Sequence, residues 1–324
     1  MEKLWVKTGA RLHLGQLDLN GSLNRLYGGL GLALNWPRIE LVAQKHDGLC
    51  LMCPGEAERL EKIARKYLEH YSLPGVKLEL KQSFPSHAGF GSGTQLALAF
   101  GRAITNLYGL TPSPVELVRV AERENSRSGV GIAAFFQGGF LVDGGSALNG
   151  AEKTDKKAPP IIARLPFPED WSVILAVPER YEKIFGKREI EAFSTLPPMD
   201  EQLSGRICRL LLMKLLPGLA EENLSLFGQG LSQIQACVGD YFAAVQGGRF
   251  ACLQSERMAE YFSSIGLVGV GQSSWGPAVY GFCKKENLEK LLEQVRLKAD
   301  ADVLVGAAGG NNHGASWGWT EDET

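Results

Sequence analysis

The chain has 324 residues, and 44% of them are hydrophobic, enough to bury a substantial core in one large domain or two ordinary ones. Its formal net charge is −2 with Lys and Arg scattered, so no basic stripe points to nucleic acid. The opening MEKLWVKTGARLHLG lacks the apolar centre of a signal peptide and no apolar run is long enough to span a bilayer, so the expectation is a cytoplasmic protein with no membrane partner.

The predicted elements begin β-rich. KLWVKTGARLHLGQLDL, YGGLGLAL, PRIELVAQ and GLCLMC read as short strands punctuated by glycine and proline. The last carries a lone C-x-x-C, Cys50 and Cys53. Residues three apart on a strand face opposite ways, so these read as two packed cysteines rather than a zinc site. Cys208, Cys237, Cys252 and Cys283 complete a set with no framework spacing, as suits a reducing compartment. Residues 56–71 place Leu60, Ile63, Ala64, Tyr67, Leu68 and Tyr71 on one helical stripe, and VKLELKQS alternates as a half-buried strand. TQLALAFGRAITNLYGL reads as a buried helix, and SPVELVRVAERE as a second one with Pro114 in its first turn.

AAFFQGGFLVDGG, ending at residue 145, reads as a strand, and SALNGAEKTDKKAPP as an exposed connection. WSVILAVP is a strand by its β-branched and aromatic content. Helices are expected over about 201–216, 220–246 and 250–264, and again at NLEKLLEQVRLK. No regular βαβ alternation appears, so the fold class is α+β in two lobes, residues 1–160 and 161–324.

Between the strand at 76–83 and the helix after it lies HAGFGSGT. It lacks the lysine of a Walker loop, and its glycines recur every second residue, unlike the G-x-G-x-x-G dinucleotide pattern. What remains is an anion cradle at a helix N-terminus: Gly89, Gly91 and Gly93 for close backbone approach, Ser92 and Thr94 as hydroxyl donors, and His87 nearby. The alternative is an ordinary turn in which Ser92 or Thr94 caps the helix.

GFGSGT resembles the phosphate loop of the GHMP superfamily of small-molecule kinases. The segments ARLHLGQLDLNG, RLYGGLGLAL, HAGFGSGTQLALA, RSGVGIAAFFQGGFLVDGG, ICRLLLMKLLPGL and GVGQSSWGPAVYGF are more closely similar to the β-ribofuranosylaminobenzene 5′-phosphate synthase family, a branch of that superfamily, over roughly residues 8–316. The resemblance implies a two-lobed GHMP-kinase-like fold. It also implies a decarboxylating phosphoribosyl transfer from phosphoribosyl pyrophosphate (PRPP) to 4-aminobenzoate or 4-hydroxybenzoate, in tetrahydromethanopterin biosynthesis. The family uses Mg²⁺, and the branch suggests a homodimer. One departure is Ile184–Glu189, where relatives often carry S-G, so a contact made by that serine is in doubt here.

The residues themselves argue against a kinase. Kinases of the superfamily place an aspartate just after their S-G turn, whereas Ser128 and Gly129 are followed by Val130, Gly131 and Ile132. Trp275 stands in a C-terminal loop that kinases build from small residues. It suits an aromatic substrate by stacking, or is simply a buried Trp.

The remaining candidates follow from what the transfer needs. Arg11, His13 and Asp18 are the catalytic candidates: the first two share a strand face expected to enter the cleft. Arg25, Tyr27, Arg127, Ser128, Gly129, Gln272, Ser273, Ser274 and Trp275 are candidates for holding substrate. Asp18, Glu124 and Asp143 are the carboxylates available to Mg²⁺. Two rival readings are an ATP-dependent GHMP-type kinase and a phosphate-binding regulator without chemistry.

Overall fold

The computed structural model describes residues 2–53, 57–85, 88–123, 126–148, 157–179 and 195–320. Strand β1 (Lys3–Asp18) alternates so that Leu4, Val6, Leu12 and Leu14 are buried. It pairs antiparallel with β2 (Arg25–Gln44), which joins YGGLGLAL and PRIELVAQ into one strand. Pro37 falls in the register shift between the Gly9–Arg38 and Arg11–Ala33 pairs, where the ladder does not need its missing N–H.

β3 (Gly48–Met52), α1 (Ala57–His70) and β4 (Gly75–Gln82) form a crossover unit with β3 and β4 parallel. α2 (Ser92–Leu107) lies under the sheet, nearly all of it buried, followed by α3 (Pro114–Val120) and α4 (Val130–Phe136). Then come β5 (Phe140–Asp143), β6 (Ser146–Ala147), β7 (Ile161–Leu165) and β8 (Trp171–Pro178). α5 (Glu201–Leu210) continues through a π-helical turn (Leu211–Leu215) into α6 (Leu216–Ala220). The chain finishes with α7 (Leu224–Gln246), α8 (Leu253–Ser264), β9 (Val268–Gln272), β10 (Val279–Lys284), α9 (Leu288–Lys298), β11 (Val303–Ala308) and β12 (Ser316–Thr320).

The first sheet runs β12-β1-β2-β4-β3, with β5 and β6 on β2 and β7 on β5, and the second runs β11-β8-β10-β9. The architecture is thus the expected α+β one, but two details differ from the sequence reading. The chain division at residue 160 does not separate the sheets, because β7 and β12 both return to the first. And AAFF is helical. A side chain at Gly31 would collide with Val130 and with the Leu12 carbonyl, so the bare glycine stretch of β2 lets α4 lie flat on the sheet. Val130, Ala133 and Ala134 pack there against Ala33 and Leu141. Only FLVD extends as a strand.

All six cysteines are free thiols, and burial pushes the Cys53 thiol up. No helix among the described residues is long and apolar enough to cross a membrane.

Candidate active site

Two turns and one strand build the site. The glycine turn, Ala88–Gly93, leads into α2. Gly91 is the N-cap, in the left-handed region at φ 74°, and no side chain caps the helix. Ser92 and Thr94 therefore do not cap it, and among the described residues no side chain caps the amides of its first turn. The second turn, Gln272–Gly276, joins β9 to β10.

Both turns dock on β1. Arg11 donates its backbone N–H to the Phe90 carbonyl at 3.1 Å and its Nη1 to the Gly89 carbonyl at 2.5 Å. Ser273 Oγ accepts the His13 N–H at 3.0 Å and donates to the same Gly89 carbonyl at 2.7 Å. Ser274 N–H donates to the His13 carbonyl at 3.1 Å. Ser273 is 0% exposed, so these bonds are protected from water and each partner depends on the others.

His13 is buried, and burial first, then the charge of Arg11, lowers its pKa to about 3. It is a neutral imidazole at physiological pH. A Cβ at Gly29 would stand 3.3 Å from His13 Nε2, 2.7 Å from Ser128 Oγ and 2.6 Å from Asp143 Oδ2, so position 29 must be bare for these three side chains to converge.

Asp143 is fully buried and saturated with donors. Its Oδ2 accepts from Ser128 Oγ at 2.7 Å and Gly129 N–H at 2.9 Å, and its Oδ1 from Gly145 N–H at 2.9 Å. Burial pushes this carboxyl up, against the pull of those donors. It fastens the Ser128–Gly129 turn, the start of α4, to the end of β5. Asp18 accepts at Oδ1 from Asn20 N–H at 2.6 Å and Ser204 Oγ at 3.3 Å, tying the end of β1 to α5.

The donor sets of Asp18 and Asp143 thus fit turn fastening rather than the metal role expected of them. No group of three or more His, Cys, Asp or Glu among the described residues could cage an ion. Arg25 likewise clamps the turn after β5, donating to the Gly144 and Gly145 carbonyls at 2.7 Å each. Tyr27, at φ 78°, packs partly buried against the core. Arg127 lies in the half-buried turn beside Ser128. His87, Glu124 and the Ile184–Glu189 departure lie outside the described residues.

A cleft opens beside the second turn, lined by His13, Gln235, Phe242, Gln272, Ser274 and Trp275. Trp275 is half-buried and meets Phe242 of α7 edge to face, with ring centroids 4.8 Å apart. Gln272 is held on both ends of its amide: Oε1 accepts from Ala251 N–H at 2.6 Å and Nε2 donates to the Ser274 carbonyl at 2.9 Å. Gln235 of α7 bridges the Leu14 carbonyl and the Gln272 N–H. Gln235 and Phe242 carry no mark of a site in the sequence, where they look like ordinary members of a helix. Arg59 and Arg123, which both reach Gly93, are equally unmarked in the sequence.

The chain matches two family models, the GHMP kinases N terminal domain over residues 58–139 and the GHMP kinases C terminal domain over residues 215–301. It is 37% identical to a β-ribofuranosylphenol 5′-phosphate synthase of Archaeoglobus fulgidus, over 86% of this chain and 87% of that one. The enzyme of the same name from Methanothermobacter thermautotrophicus is 32% identical, over 97% and 98% of the two chains. Among solved structures, homoserine kinase from Cytophaga hutchinsonii superposes with a TM-score of 0.68 at 17% identity, over 98% of both chains. Mevalonate pyrophosphate decarboxylase from Streptococcus pyogenes gives 0.69 at 13%, over 96% and 97%. These two show the shared fold.

Proposed function

The chain belongs to the β-ribofuranosylphenol 5′-phosphate synthase family within the GHMP superfamily, and from that membership we propose that it joins PRPP to a 4-substituted benzoate with release of carbon dioxide and pyrophosphate. The phenol in the relatives' name favours 4-hydroxybenzoate as the acceptor, over 4-aminobenzoate. The observation that carries the reading is the uncapped glycine turn, which Arg11 of β1 and Ser273 of the second turn both grip, beside a cleft walled by Trp275 and Phe242. One part suits an oxyanion, the other an aromatic ring.

The step balances without a proton. The bond from ribose C1 to the pyrophosphate oxygen breaks, and its electron pair leaves with pyrophosphate. The ring carbon bearing the carboxylate supplies a π pair to C1, forming a carbon–carbon bond. The bond to the carboxylate then breaks, returning its pair to the ring as carbon dioxide leaves. A neutral, buried His13 is compatible with this, since no group has to deliver or remove a proton. The chain's part is to orient the two substrates and to stabilise charge on the leaving group.

Mg²⁺ belongs to this reading as a companion of the PRPP diphosphate, where it would neutralise charge on the leaving group; the hydrogen bonds on Asp18 Oδ1 and on both oxygens of Asp143 favour phosphate oxygens and water over these carboxylates as its ligands. The reading extends to a cytoplasmic homodimer in tetrahydromethanopterin biosynthesis, with sedimentation as the check on the dimer.

The test incubates the protein with Mg²⁺, PRPP and carboxyl-labelled 4-hydroxybenzoate or 4-aminobenzoate, and then with ATP in place of PRPP. Labelled carbon dioxide and pyrophosphate are expected in equal amounts from the first mixture, none after a chelator is added, and no ADP from the second. Pyrophosphate without carbon dioxide would remove the decarboxylating assignment, and phosphorylation of a small alcohol would install a kinase in its place.

A further inference from the structure

We infer that Arg59 and Arg123 form a guanidinium clamp that holds the leaving pyrophosphate at Gly93, the first turn of α2. The inference rests on the phosphoribosyl-transfer reading for the identity of the anion.

The two arginines come from separate elements, Arg59 from the first turn of α1 and Arg123 from the segment after α3. They converge on one point. A Cβ built on Gly93 would collide with Arg59 Nη2 and lie 3.5 Å from Arg123 Nη2, so both guanidinium groups lie against this residue, close enough for one phosphoryl group to bridge them. Arg123 makes one long contact there, Nη2 to the Gly93 carbonyl at 3.4 Å, and its buried Nε has no hydrogen-bond partner among the described residues. Burial and then the neighbouring Arg59 charge act against the protonated form of Arg123, while Tyr67 and Glu122 act for it. The adjacent carboxylate, Glu122, is paired with Lys66. Two guanidinium groups brought this close repel each other, and an anion seated against both relieves that repulsion.

The place has the chemistry to receive that charge. Ser92 and Gly93 are the first residues of α2, where amides have no acceptor within the helix and the helix dipole is positive. Arg11 reaches the same turn at Gly91, where a Cβ would stand 3.1 Å from its guanidinium. Guanidinium is always charged and binds phosphoryl oxygens in pairs. Of the two ends of PRPP, the diphosphate carries the greater charge and gains more as the C1–oxygen bond breaks. A clamp of fixed cations there stabilises the transition state more than the ground state.

The test measures binding of inorganic pyrophosphate, ribose 5-phosphate and 4-hydroxybenzoate by calorimetry in wild type, Arg59→Ala, Arg123→Ala and the two Arg→Lys variants, with circular dichroism alongside. Each alanine variant is expected to lose about tenfold or more in pyrophosphate affinity, as for a charged, paired hydrogen bond. Affinity for hydroxybenzoate and ribose 5-phosphate should be unchanged, and lysine should restore part of the loss. The lysine variants carry the test if an alanine variant does not fold. Unchanged pyrophosphate affinity in the folded variants overturns the clamp, as does a loss confined to ribose 5-phosphate, which would move the pair to the other end of the substrate. Wild type that binds pyrophosphate yet releases no carbon dioxide from PRPP and a benzoate would overturn the transferase reading and leave the clamp standing. Variants that turn over like wild type would do the reverse.

Discussion

The two turns that meet over β1 are shaped by opposite means. Ala88–Gly93 is a backbone device: its glycines adopt positive φ at 89 and 91, and its Gly89 carbonyl accepts from Arg11 and Ser273. Gln272–Gly276 is a side-chain device, in which Ser273 and Gln272 hold the loop from within and tie it to β1 and the segment after α7. One turn is held by its neighbours; the other does the holding. The difference implies that the glycine turn should be intolerant of added atoms, and the second turn intolerant of lost hydrogen bonds.

Gly276 is the place to break this contrast, because it belongs to the side-chain turn yet meets the other backbone to backbone. A Cβ there would collide with the Ala88 carbonyl carbon and the Gly89 nitrogen. Gly276→Val should force the turns apart, with about 100-fold or more lost in carbon dioxide release and about 1–3 kcal/mol in stability from overpacking. Normal turnover, read beside urea unfolding, would mean that the contact between the turns does not shape the site.

Gly91→Val sharpens the backbone half. Its φ of 74° and the Arg11 guanidinium 3.1 Å from its Cβ position predict loss of PRPP binding and about 1–2 kcal/mol of left-handed strain. Calorimetry with PRPP checks the first and chemical unfolding the second. Ser273→Ala tests the side-chain half. It leaves the buried His13 N–H without its acceptor and the Gly89 carbonyl with one donor fewer. A stability loss of about 1–3 kcal/mol is expected, with turnover down about tenfold, an effect worth 1.4 kcal/mol.

The smallest effect at neutral pH belongs to His13→Gln. The folded-state pKa of His13, about 3, lies below its ordinary 6.5, so the unfolded chain takes up a proton that the folded one refuses. Its share of stability is whole above pH 6.5 and falls as the pH drops towards 3, by up to about 1.4 kcal/mol per unit. Stability curves of wild type and variant, close together at neutral pH, should therefore separate on acidification through that window, the wild type losing stability that the variant keeps. Parallel curves would place the ring in a more open setting than the structure shows.

The contrast also explains what could be seen in advance. Gly89 and Gly91 announce themselves because few other residues adopt their positive φ, and β1 announces itself by alternation. Arg11, His13 and Ser273 were legible as candidates, and the structure brings them together. Asp18, Asp143 and Arg25 were legible only as charges. Their work as fasteners depends on carbonyls and amides from distant segments, to which composition and spacing are blind. Arg59 sits on an ordinary amphipathic helix and Arg123 just past the end of another, and nothing local marks their meeting at Gly93. The α4 segment misled because AAFF next to FLV looks extended unless one knows that the strand beneath it is glycine.

The return of β12 to the outer edge of β1 has a consequence for the making of the molecule. Thr320 Oγ1 donates to the Lys3 carbonyl, a bond across 317 positions of sequence. As the chain leaves the ribosome, β1 emerges hundreds of residues ahead of its partner on that side. Until β12 is made, that edge offers bare amides and carbonyls to any passing strand. Trp317 and Trp319 arrive with the strand that covers it, so a chain shortened by its last element would be left with a sheet that invites strangers.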